Sequence, residues 1–185
     1  MTEPYAWEIS SMLALNFDGG GFVDFIMYGI AYKFTWIPLY IGVLYYILKM
    51  HGWKKALLFV AVAALLILCV DQTATFAKNN FSKFRPNHYP PLEGLLHNVN
   101  GYKGGLYGTI SSHAANTMAF AMLSYSLIRK KAYLYMMIAF VTLNCYSRIY
   151  LGAHYPLDIL LGIFEAIIWS AVWIFVYNKI AVRIK

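Results

Sequence analysis

Two long apolar stretches, residues 56–78 and 157–178, constrain this chain more than any other feature of its sequence. A helix needs about 20 consecutive apolar residues to cross the hydrocarbon layer of a bilayer, and both stretches reach that length. Residues 34–48, 110–128 and 132–147 are also apolar over most of their length. The sequence therefore predicts an all-α integral membrane bundle with five to six transmembrane helices, five of which follow directly from these stretches.

Composition supports the same fold class. Hydrophobic residues make up 61% of the 185 residues and charged residues only 12%, whereas soluble globular domains have a charged fraction of about 25%. The length suits one domain over residues 1–185, and no linker or internal repeat divides it. The first basic residue is Lys33, so a cleaved signal peptide is not expected. Cys69 and Cys145 lie in apolar stretches and suggest neither a disulfide nor a thiolate metal site.

The N-terminal stretch, residues 5–32, is apolar only in short pieces, which polar residues and three adjacent glycines interrupt. Asp24 and Lys33 would be costly within lipid. We therefore expect one or two helices that lie in the membrane interface. The alternative is that this stretch joins residues 34–48 in a longer, broken span.

Basic residues indicate the orientation. If the spans alternate, nine of the fifteen Lys and Arg residues fall on one side, which is then the cytoplasmic side. These nine are Lys49, Lys54, Lys55, Arg129, Lys130, Lys131, Lys179, Arg183 and Lys185. The sequence thus predicts a multi-pass protein of the bacterial inner membrane whose segments 79–109 and 148–156 face the periplasm or cell exterior.

Ionisable residues are concentrated at the outer ends of the predicted spans. They are Lys78, Arg85, His113, Arg148, His154 and Asp158. Three separate segments thereby bring three cations, two histidines and a carboxylate to one membrane level. A phosphate monoester or diphosphate would meet complementary charge there, since Arg offers paired donors to phosphoryl oxygens and Lys a compact positive charge.

The predicted helix ends add to this site. Ser111 and Ser112 stand at the start of the span 110–128, where free backbone N–H groups favour an anion. Pro156 suits the first turn of the last span, which places Asp158 in that turn. Asp158 follows His154 by four residues, close enough to accept a hydrogen bond from one ring nitrogen. The other nitrogen would then be available as a nucleophile or base.

The order and spacing of these residues resemble the three-part signature of the type 2 phosphatidic acid phosphatase (PAP2) superfamily, which includes small bacterial membrane lipid phosphatases, glucose-6-phosphatase and the vanadium haloperoxidases. The resemblance covers residues 78–158. Many members have glycine where this chain has Ser112, and glycine allows close approach of the backbone to phosphate. The three parts are Lys78, six residues and Arg85-Pro86; Ile110-Ser111-Ser112-His113; and Ser147-Arg148, five residues, His154, three residues and Asp158.

The resemblance implies a metal-independent, cofactor-free lipid phosphatase that works through a phosphohistidine. His154 would attack phosphorus, Asp158 would orient it, and His113 would protonate the leaving oxygen and then activate water. The residues implied to bind phosphate are Lys78, Arg85, Ser111, Ser112 with its backbone N–H, and Arg148. The partners are a membrane lipid substrate and the bilayer, not nucleic acid, and the oligomeric state is left open.

The substrate is expected to be amphiphilic, because a lipid can enter sideways between helices while its phosphate meets the cations. Polyprenyl diphosphate, lipid A and phosphatidylglycerophosphate remain open, although "SSHAANT" also resembles small Gram-negative members and favours an envelope lipid. Two alternatives are a non-catalytic membrane protein that binds anions or lipid headgroups, and a phosphatase of a soluble phosphate ester. A transporter is disfavoured, because the charges lie at one face rather than near the midplane.

Two carboxylates lie deeper in the predicted spans. Asp71 precedes Lys78 by seven residues and Glu165 follows Asp158 by seven, so each lies two helical turns into the membrane. Carboxylates at that depth usually face a polar interior. We expect them to lock the helices of 56–78 and 157–178 together, with a contact to the substrate headgroup as the alternative.

Overall fold

The computed structural model describes residues 2–184, which fold into seven α-helices joined by turns. Met1 and Lys185 lie outside this range. All five helices predicted from the apolar stretches are present, and the all-α prediction is confirmed. The helices are α1 (Ala6–Leu15), α2 (Gly20–Ala31), α3 (Ile37–His51), α4 (Trp53–Phe81), α5 (Ser112–Ile128), α6 (Lys131–Tyr150) and α7 (Pro156–Ala181).

Two helices, α4 and α7, are long and apolar enough to cross a membrane. A third apolar unit is formed by α2 together with Lys33–His51, and it is bent by 71°. This bent pair corresponds to the broken span that was the alternative prediction for the N-terminal stretch. By length and composition the described residues thus offer two to three spans, and the five to six crossings remain a prediction.

Large apolar side chains cover the outer faces of the two long helices. Phe76 on α4 and Phe164 and Phe175 on α7 are all exposed. Monomeric soluble proteins rarely expose contiguous apolar surface on this scale, whereas lipid solvates it. The bundle is therefore built for a membrane environment.

Helix α5 is the central element, because it packs against α4, α6 and α7. It lies close to α7 at Gly162, where an added Cβ would lie 2.7 Å from the carbonyl oxygen of Ser111. The two helix starts are also joined directly, since the backbone N–H of Ser111 donates to the carbonyl oxygen of Asp158 at 3.0 Å. The absence of a side chain at Gly162 thus lets the first turns of α5 and α7 lie side by side.

The N-terminal helices are hydrogen-bonded to the C-terminal end of α6. Asn16 donates to the carbonyl oxygen of Tyr150 at 2.7 Å and accepts from the backbone N–H of His97 at 2.7 Å. Asp24, which would be costly in lipid, bonds the ring of His97 at 2.7 Å and the hydroxyl of Tyr150. These bonds hold α1 and α2 beside the membrane face that carries the predicted site.

Asp71 and Glu165 form no hydrogen bond with each other among residues 2–184, and their role in locking α4 to α7 stays a prediction. Asp71 accepts a hydrogen bond from Asn116 at 3.0 Å and so joins α4 to α5. Both carboxylate oxygens of Glu165 are buried without a hydrogen-bond partner among residues 2–184. Trp169 donates to the hydroxyl of Thr73 at 3.1 Å and links α7 to α4. An uncharged pair can make this link because both side chains lie at the helix contact.

Candidate active site

The predicted site residues lie where the starts of α5 and α7 meet the ends of α4 and α6, beneath the long loop between α4 and α5. His154 belongs to the short connection between α6 and α7, and only 2% of it is exposed. The preceding Gly152 has a φ of 65°, a left-handed conformation that glycine adopts without strain. This tight turn sends the chain from α6 back into the bundle and buries the imidazole.

The two ring nitrogens of His154 have different surroundings. Nδ1 lies 3.1 Å from the carbonyl oxygen of Gly108 and 3.4 Å from Oδ2 of Asp158. Both oxygens are acceptors, so Nδ1 carries the proton and Nε2 carries the lone pair. A neutral imidazole with a free Nε2 is the form that a histidine nucleophile needs.

Charge and burial keep His154 in that neutral form. Its pKa lies well below the ordinary value of 6.5, first because burial removes the hydration of an imidazolium. Arg85, Arg148 and Lys78 lower the pKa further by repelling a positive charge. The same three cations that disfavour protonation would attract a phosphate group.

Asp158 is held at both carboxylate oxygens. Oδ2 accepts from the backbone N–H of Tyr155 at 3.1 Å, which caps the start of α7. Oδ1 lies 2.6 Å from the ammonium group of Lys83, and that ammonium group lies 2.7 Å from Glu8 on α1.

Lys78 and Ser112 contact each other at the edge of the site. The Lys78 ammonium group donates to the Ser112 hydroxyl at 2.7 Å. Ser112 is the first residue of α5. Its hydroxyl therefore gives Lys78 a partner that glycine could not provide.

Ser111 lies at the start of α5, as predicted. It is fully buried, and its hydroxyl accepts from the backbone N–H of Ala114 as the N-cap of α5. Its backbone N–H is used by the carbonyl of Asp158. The side chain thus supports the helix start, and its role in phosphate binding stays a prediction.

Arg85 lies along a glycine-rich loop segment. Its Nε donates to the carbonyl oxygen of Tyr107 at 3.1 Å. A Cβ added at Gly108 would lie 2.6 Å from Arg85 Cγ and 3.3 Å from Cε1 of His154. The lack of a side chain at Gly108 therefore allows the guanidinium and the imidazole to lie on either side of the same loop residue.

Arg148 and Arg85 both approach the hydroxyl of Tyr102. Arg148 Nη2 donates to that hydroxyl at 2.6 Å, and its guanidinium lies 5.3 Å from the centre of the Tyr102 ring. A Cβ at Gly104 would lie 2.7 Å from Arg85 Nη1 and 3.3 Å from the Tyr102 hydroxyl. Tyr102 thus places an oxygen atom beside two cations of the predicted phosphate site.

His113 opens α5 at the other side of the site. Its Nε2 lies 3.2 Å from the carbonyl oxygen of Ala31, the last residue of α2. The carbonyl is an acceptor, so Nε2 is the protonated nitrogen. The charges of Arg148, His154 and Arg85 all act on His113, which places both histidines in one electrostatic environment.

One cluster among residues 2–184 has side chains of metal-ligating types, namely Asp18, Asp24 and His97. Asp24 and His97 are joined at 2.7 Å, and Tyr150 donates to Asp24. The cluster contains none of the predicted site residues. Its contacts join α2 to the loop between α4 and α5 and to the end of α6.

Four groups at the site were not predicted from the sequence, namely Lys83, Glu8, Tyr102 and the Ala31 carbonyl. Lys83 lies within the "KNNFSKFRP" segment, and a second lysine two residues before Arg85 was a visible signal. Nothing in the sequence pairs it with Glu8, which lies 75 positions away. Tyr102 resembled the other aromatic residues near the membrane boundary.

Comparison with known proteins gives the family. A model of the PAP2 superfamily matches residues 33–181.

The chain belongs to the PAP2 superfamily.

The lipid A 4'-phosphatase of Bacteroides thetaiotaomicron is 34% identical to this PAP2 protein over 182 residues, which are 96% of this chain and 81% of the relative. The lipid A 4'-phosphatase of Porphyromonas gingivalis is 35% identical over 162 residues, 86% of this chain and 69% of the relative. The crystal structure of Aquifex aeolicus LpxE superposes with a TM-score of 0.71 at 21% identity. That match covers 95% of this chain and 99% of LpxE and shows a shared fold.

These findings confirm the resemblance inferred from the three-part signature. The matched region includes every residue of that signature, from Lys78 to Asp158. This PAP2 protein is therefore an enzyme, a membrane lipid phosphatase of the PAP2 type.

Proposed function

We propose that this PAP2 protein removes the 4'-phosphate of lipid A through a phosphohistidine formed on His154. The observation that carries the mechanism is the environment of this ring: Nδ1 is fixed by Gly108 and Asp158, and Nε2 is left free beside three cations. The substrate is proposed from the two relatives named lipid A 4'-phosphatase, which align with most of this chain. They favour lipid A over polyprenyl diphosphate and phosphatidylglycerophosphate.

In the first step, the lone pair on Nε2 of His154 forms a bond to phosphorus while the ester bond to the sugar oxygen breaks. His113, as the imidazolium, donates its Nε2 proton to that oxygen, so the sugar leaves as an alcohol and His113 becomes neutral. The carboxylate of Asp158, 3.4 Å from Nδ1, stabilises the positive charge that the phosphorylated ring acquires.

In the second step, His113 accepts a proton from water as the water oxygen attacks phosphorus. The phosphorus–nitrogen bond breaks, inorganic phosphate is released, and neutral His154 is regenerated. The same residue thus acts first as general acid and then as general base. His113 must exchange its bond with the Ala31 carbonyl for one with the reacting oxygen.

Charge stabilisation at phosphorus is the main task of the remaining residues. Lys78, Arg85 and Arg148 are proposed to bind the phosphoryl oxygens, with the hydroxyl and backbone N–H of Ser112 as further donors. Preorganised donors of this kind make the largest contribution to catalysis of phosphoryl transfer. Ser111 serves the site indirectly by capping α5.

The proposed location is the bacterial inner membrane with the site on the periplasmic face. The support is the asymmetry of Lys and Arg, which places the basic connections on the opposite side from the site. Lipid A carries its phosphates on a headgroup at the membrane surface, and the site lies at the end of the bundle. A lipid is thus able to keep its acyl chains in the bilayer while its phosphate reaches His154.

The test is phosphate release from purified protein in detergent with a metal chelator present. The substrates are lipid A, polyprenyl diphosphate, phosphatidylglycerophosphate and a water-soluble phosphate ester. Mass spectrometry of the lipid A product identifies the phosphate that is lost. The variant is His154→Ala, and the matched control is His51→Ala, a histidine at the end of α3 that bonds the Leu127 carbonyl at 3.2 Å.

We expect loss of the 4'-phosphate from lipid A in the wild type and in His51→Ala, and loss of nearly all activity in His154→Ala. Undiminished activity of His154→Ala would exclude the phosphohistidine. Faster turnover of another lipid would show that lipid A is not the preferred substrate. Comparable turnover of the soluble ester would favour a soluble-ester phosphatase. No release from any substrate would indicate the non-catalytic binding protein.

A further inference from the structure

We propose that Lys83, held in turn by Glu8, is a positioning residue for the catalytic carboxylate of Asp158. The inference rests on the proposed function, since it concerns how Asp158 serves His154. It adds two residues that the family signature does not contain, and one of them belongs to the N-terminal helix α1.

The three charged groups form a buried chain. Lys83 is 5% exposed, and Glu8 and Asp158 are both 0% exposed. The ammonium group lies 2.6 Å from Oδ1 of Asp158 and 2.7 Å from Oε1 of Glu8. It also lies 4.9 Å from the centre of the Tyr155 ring, which covers it from water. Buried charges at this spacing are stable only as a set, because each would be costly to bury alone.

Lys83 completes the fixation of the Asp158 carboxylate. Oδ2 is occupied by the backbone N–H of Tyr155 and faces Nδ1 of His154. Without a partner on Oδ1, the carboxylate would be free to rotate about its Cβ–Cγ bond and exchange its two oxygens. The ammonium group on Oδ1 removes that freedom and keeps Oδ2 towards the imidazole.

Glu8 sets the charge balance of this group. Lys83 and Asp158 alone would cancel, which would leave no net negative charge to stabilise a phosphorylated imidazolium. With Glu8 included, the three groups carry one net negative charge, and the phosphorylated ring of His154 would neutralise it. The effect is strong in a buried site, where the effective dielectric constant is low.

Glu8 is itself fixed by the start of α1. Its other oxygen, Oε2, accepts from the backbone N–H of Tyr5 at 2.9 Å and forms the capping box of that helix. A series of contacts thus connects the N-terminal helix through Glu8 and Lys83 to Asp158 and His154. Helix α1 is therefore part of the support of the active site as well as an element of the membrane interface.

The test separates charge balance from position. Lys83→Met leaves two buried carboxylates without a cation, and this variant is at risk of failing to fold. The double variant Glu8→Gln/Lys83→Met removes one positive and one negative charge, so the net charge of the group is unchanged and only the contact on Oδ1 is lost. Lys54→Met, an exposed lysine at the opposite end of α4, is the matched control.

Two readouts are needed. The first is kcat and KM on the phosphorylated lipid that the wild type hydrolyses fastest. Loss of a hydrogen bond to a charged group typically costs about 10–100-fold, and we expect kcat of the double variant to fall by that factor with KM near the wild-type value. The second is the pair of His154 ring signals in a ¹H–¹⁵N spectrum of ¹⁵N-histidine-labelled protein, which we expect to shift in the double variant and not in Lys54→Met.

A folded double variant with wild-type kcat and unchanged His154 signals would overturn the proposal. The spectrum also separates this proposal from the proposed function. If the wild type releases no phosphate from any lipid, the proposed function fails, but the His154 signals still show whether Lys83 fixes Asp158 against the ring.

Discussion

Nδ1 of His154 lies closer to the carbonyl oxygen of Gly108, at 3.1 Å, than to Oδ2 of Asp158, at 3.4 Å. The backbone of the loop before α5 therefore shares the task of orienting the candidate nucleophile with the carboxylate. Because a carbonyl oxygen accepts and never donates, this contact fixes the proton on Nδ1 even before a substrate binds.

The activity of this enzyme should persist below pH 6.5. Burial and the charges of Arg85, Arg148 and Lys78 lower the pKa of His154 well below its ordinary value of 6.5, and they outweigh the opposing hydrogen bond to the Gly108 carbonyl. The nucleophile thus stays unprotonated as the pH falls through 6.5, and the acid-side decline of kcat/KM from this residue lies below that pH. Arg148→Gln removes one repelling cation, so its residual activity should decline at a higher pH than that of the wild type.

The same shift has a consequence for stability. An unfolded chain protonates this histidine near pH 6.5, whereas the folded chain does so only at lower pH. The unfolded state therefore binds more protons below pH 6.5, and the contribution of His154 to stability falls as the pH decreases. Thermal unfolding in detergent at several pH values, compared between the wild type and His154→Gln, measures this contribution. Equal slopes for the two proteins would contradict the assignment of a lowered pKa.

Tyr102→Phe tests the oxygen atom that lies between the two guanidinium groups. The substitution keeps the ring against which Arg148 stacks and removes the hydroxyl that accepts from Nη2. Hydrogen bonds to charged groups contribute about 1.5–3 kcal/mol, so we expect kcat/KM to fall by about tenfold or more. Steady-state kinetics on the preferred lipid measures the effect. Faster turnover would instead show that the hydroxyl obstructs the phosphate site.

Ser111→Ala and Ser112→Ala should differ in what they disturb. Ser111 caps α5, and the loss of such a cap lowers the free energy of unfolding by about 1 kcal/mol. Ser112 contacts Lys78 at 2.7 Å, so its substitution should lower kcat/KM and leave the free energy of unfolding nearly unchanged. Melting temperature and kinetics measured on both variants separate the two effects. A larger loss of kcat/KM in Ser111→Ala would show that its hydroxyl reaches the phosphate.

Gly162→Ala should destabilise the protein and displace the site. The added Cβ would lie 2.7 Å from the carbonyl oxygen of Ser111, which belongs to the backbone and has little room to move. Overpacking of this kind costs about 1–3 kcal/mol. Gly42→Ala is the matched control, since nothing lies within 4 Å of a Cβ there. We expect a lower melting temperature for Gly162→Ala alone, and equal values for both variants would contradict the close contact of α5 and α7.

The helices and the gathering of charges were predictable from the sequence, for physical reasons. A stretch such as residues 56–78 can satisfy its backbone in lipid only as a helix, and α4 extends from Trp53 to Phe81 around it. Pro156 and Asp158 marked the first turn of α7 because their chemistry suits a helix start. Residues at the ends of neighbouring helices then had to meet at one membrane face.

Long-range side-chain contacts were not predictable. The pairing of Lys83 with Glu8, the bond from Asn116 to Asp71 and the position of Tyr102 between two arginines depend on how the loops fold back over the bundle. Such contacts leave no periodicity in the sequence. Ser111 shows the complementary case, since either of its two possible uses, a cap or a phosphate ligand, suits a serine at a helix start.

The bend of 71° between α2 and the segment Lys33–His51 has a consequence for how this enzyme responds to its surroundings. Ala31 ends α2 just before the bend, and its carbonyl holds the proton of Nε2 on His113. A bilayer that is thicker or thinner changes how deeply a bent apolar unit must sit, and mismatch of this kind costs fractions of a kcal/mol per Å. Acyl-chain length is therefore expected to tune the rate of hydrolysis, and activities measured in micelles will differ from those in vesicles of defined thickness.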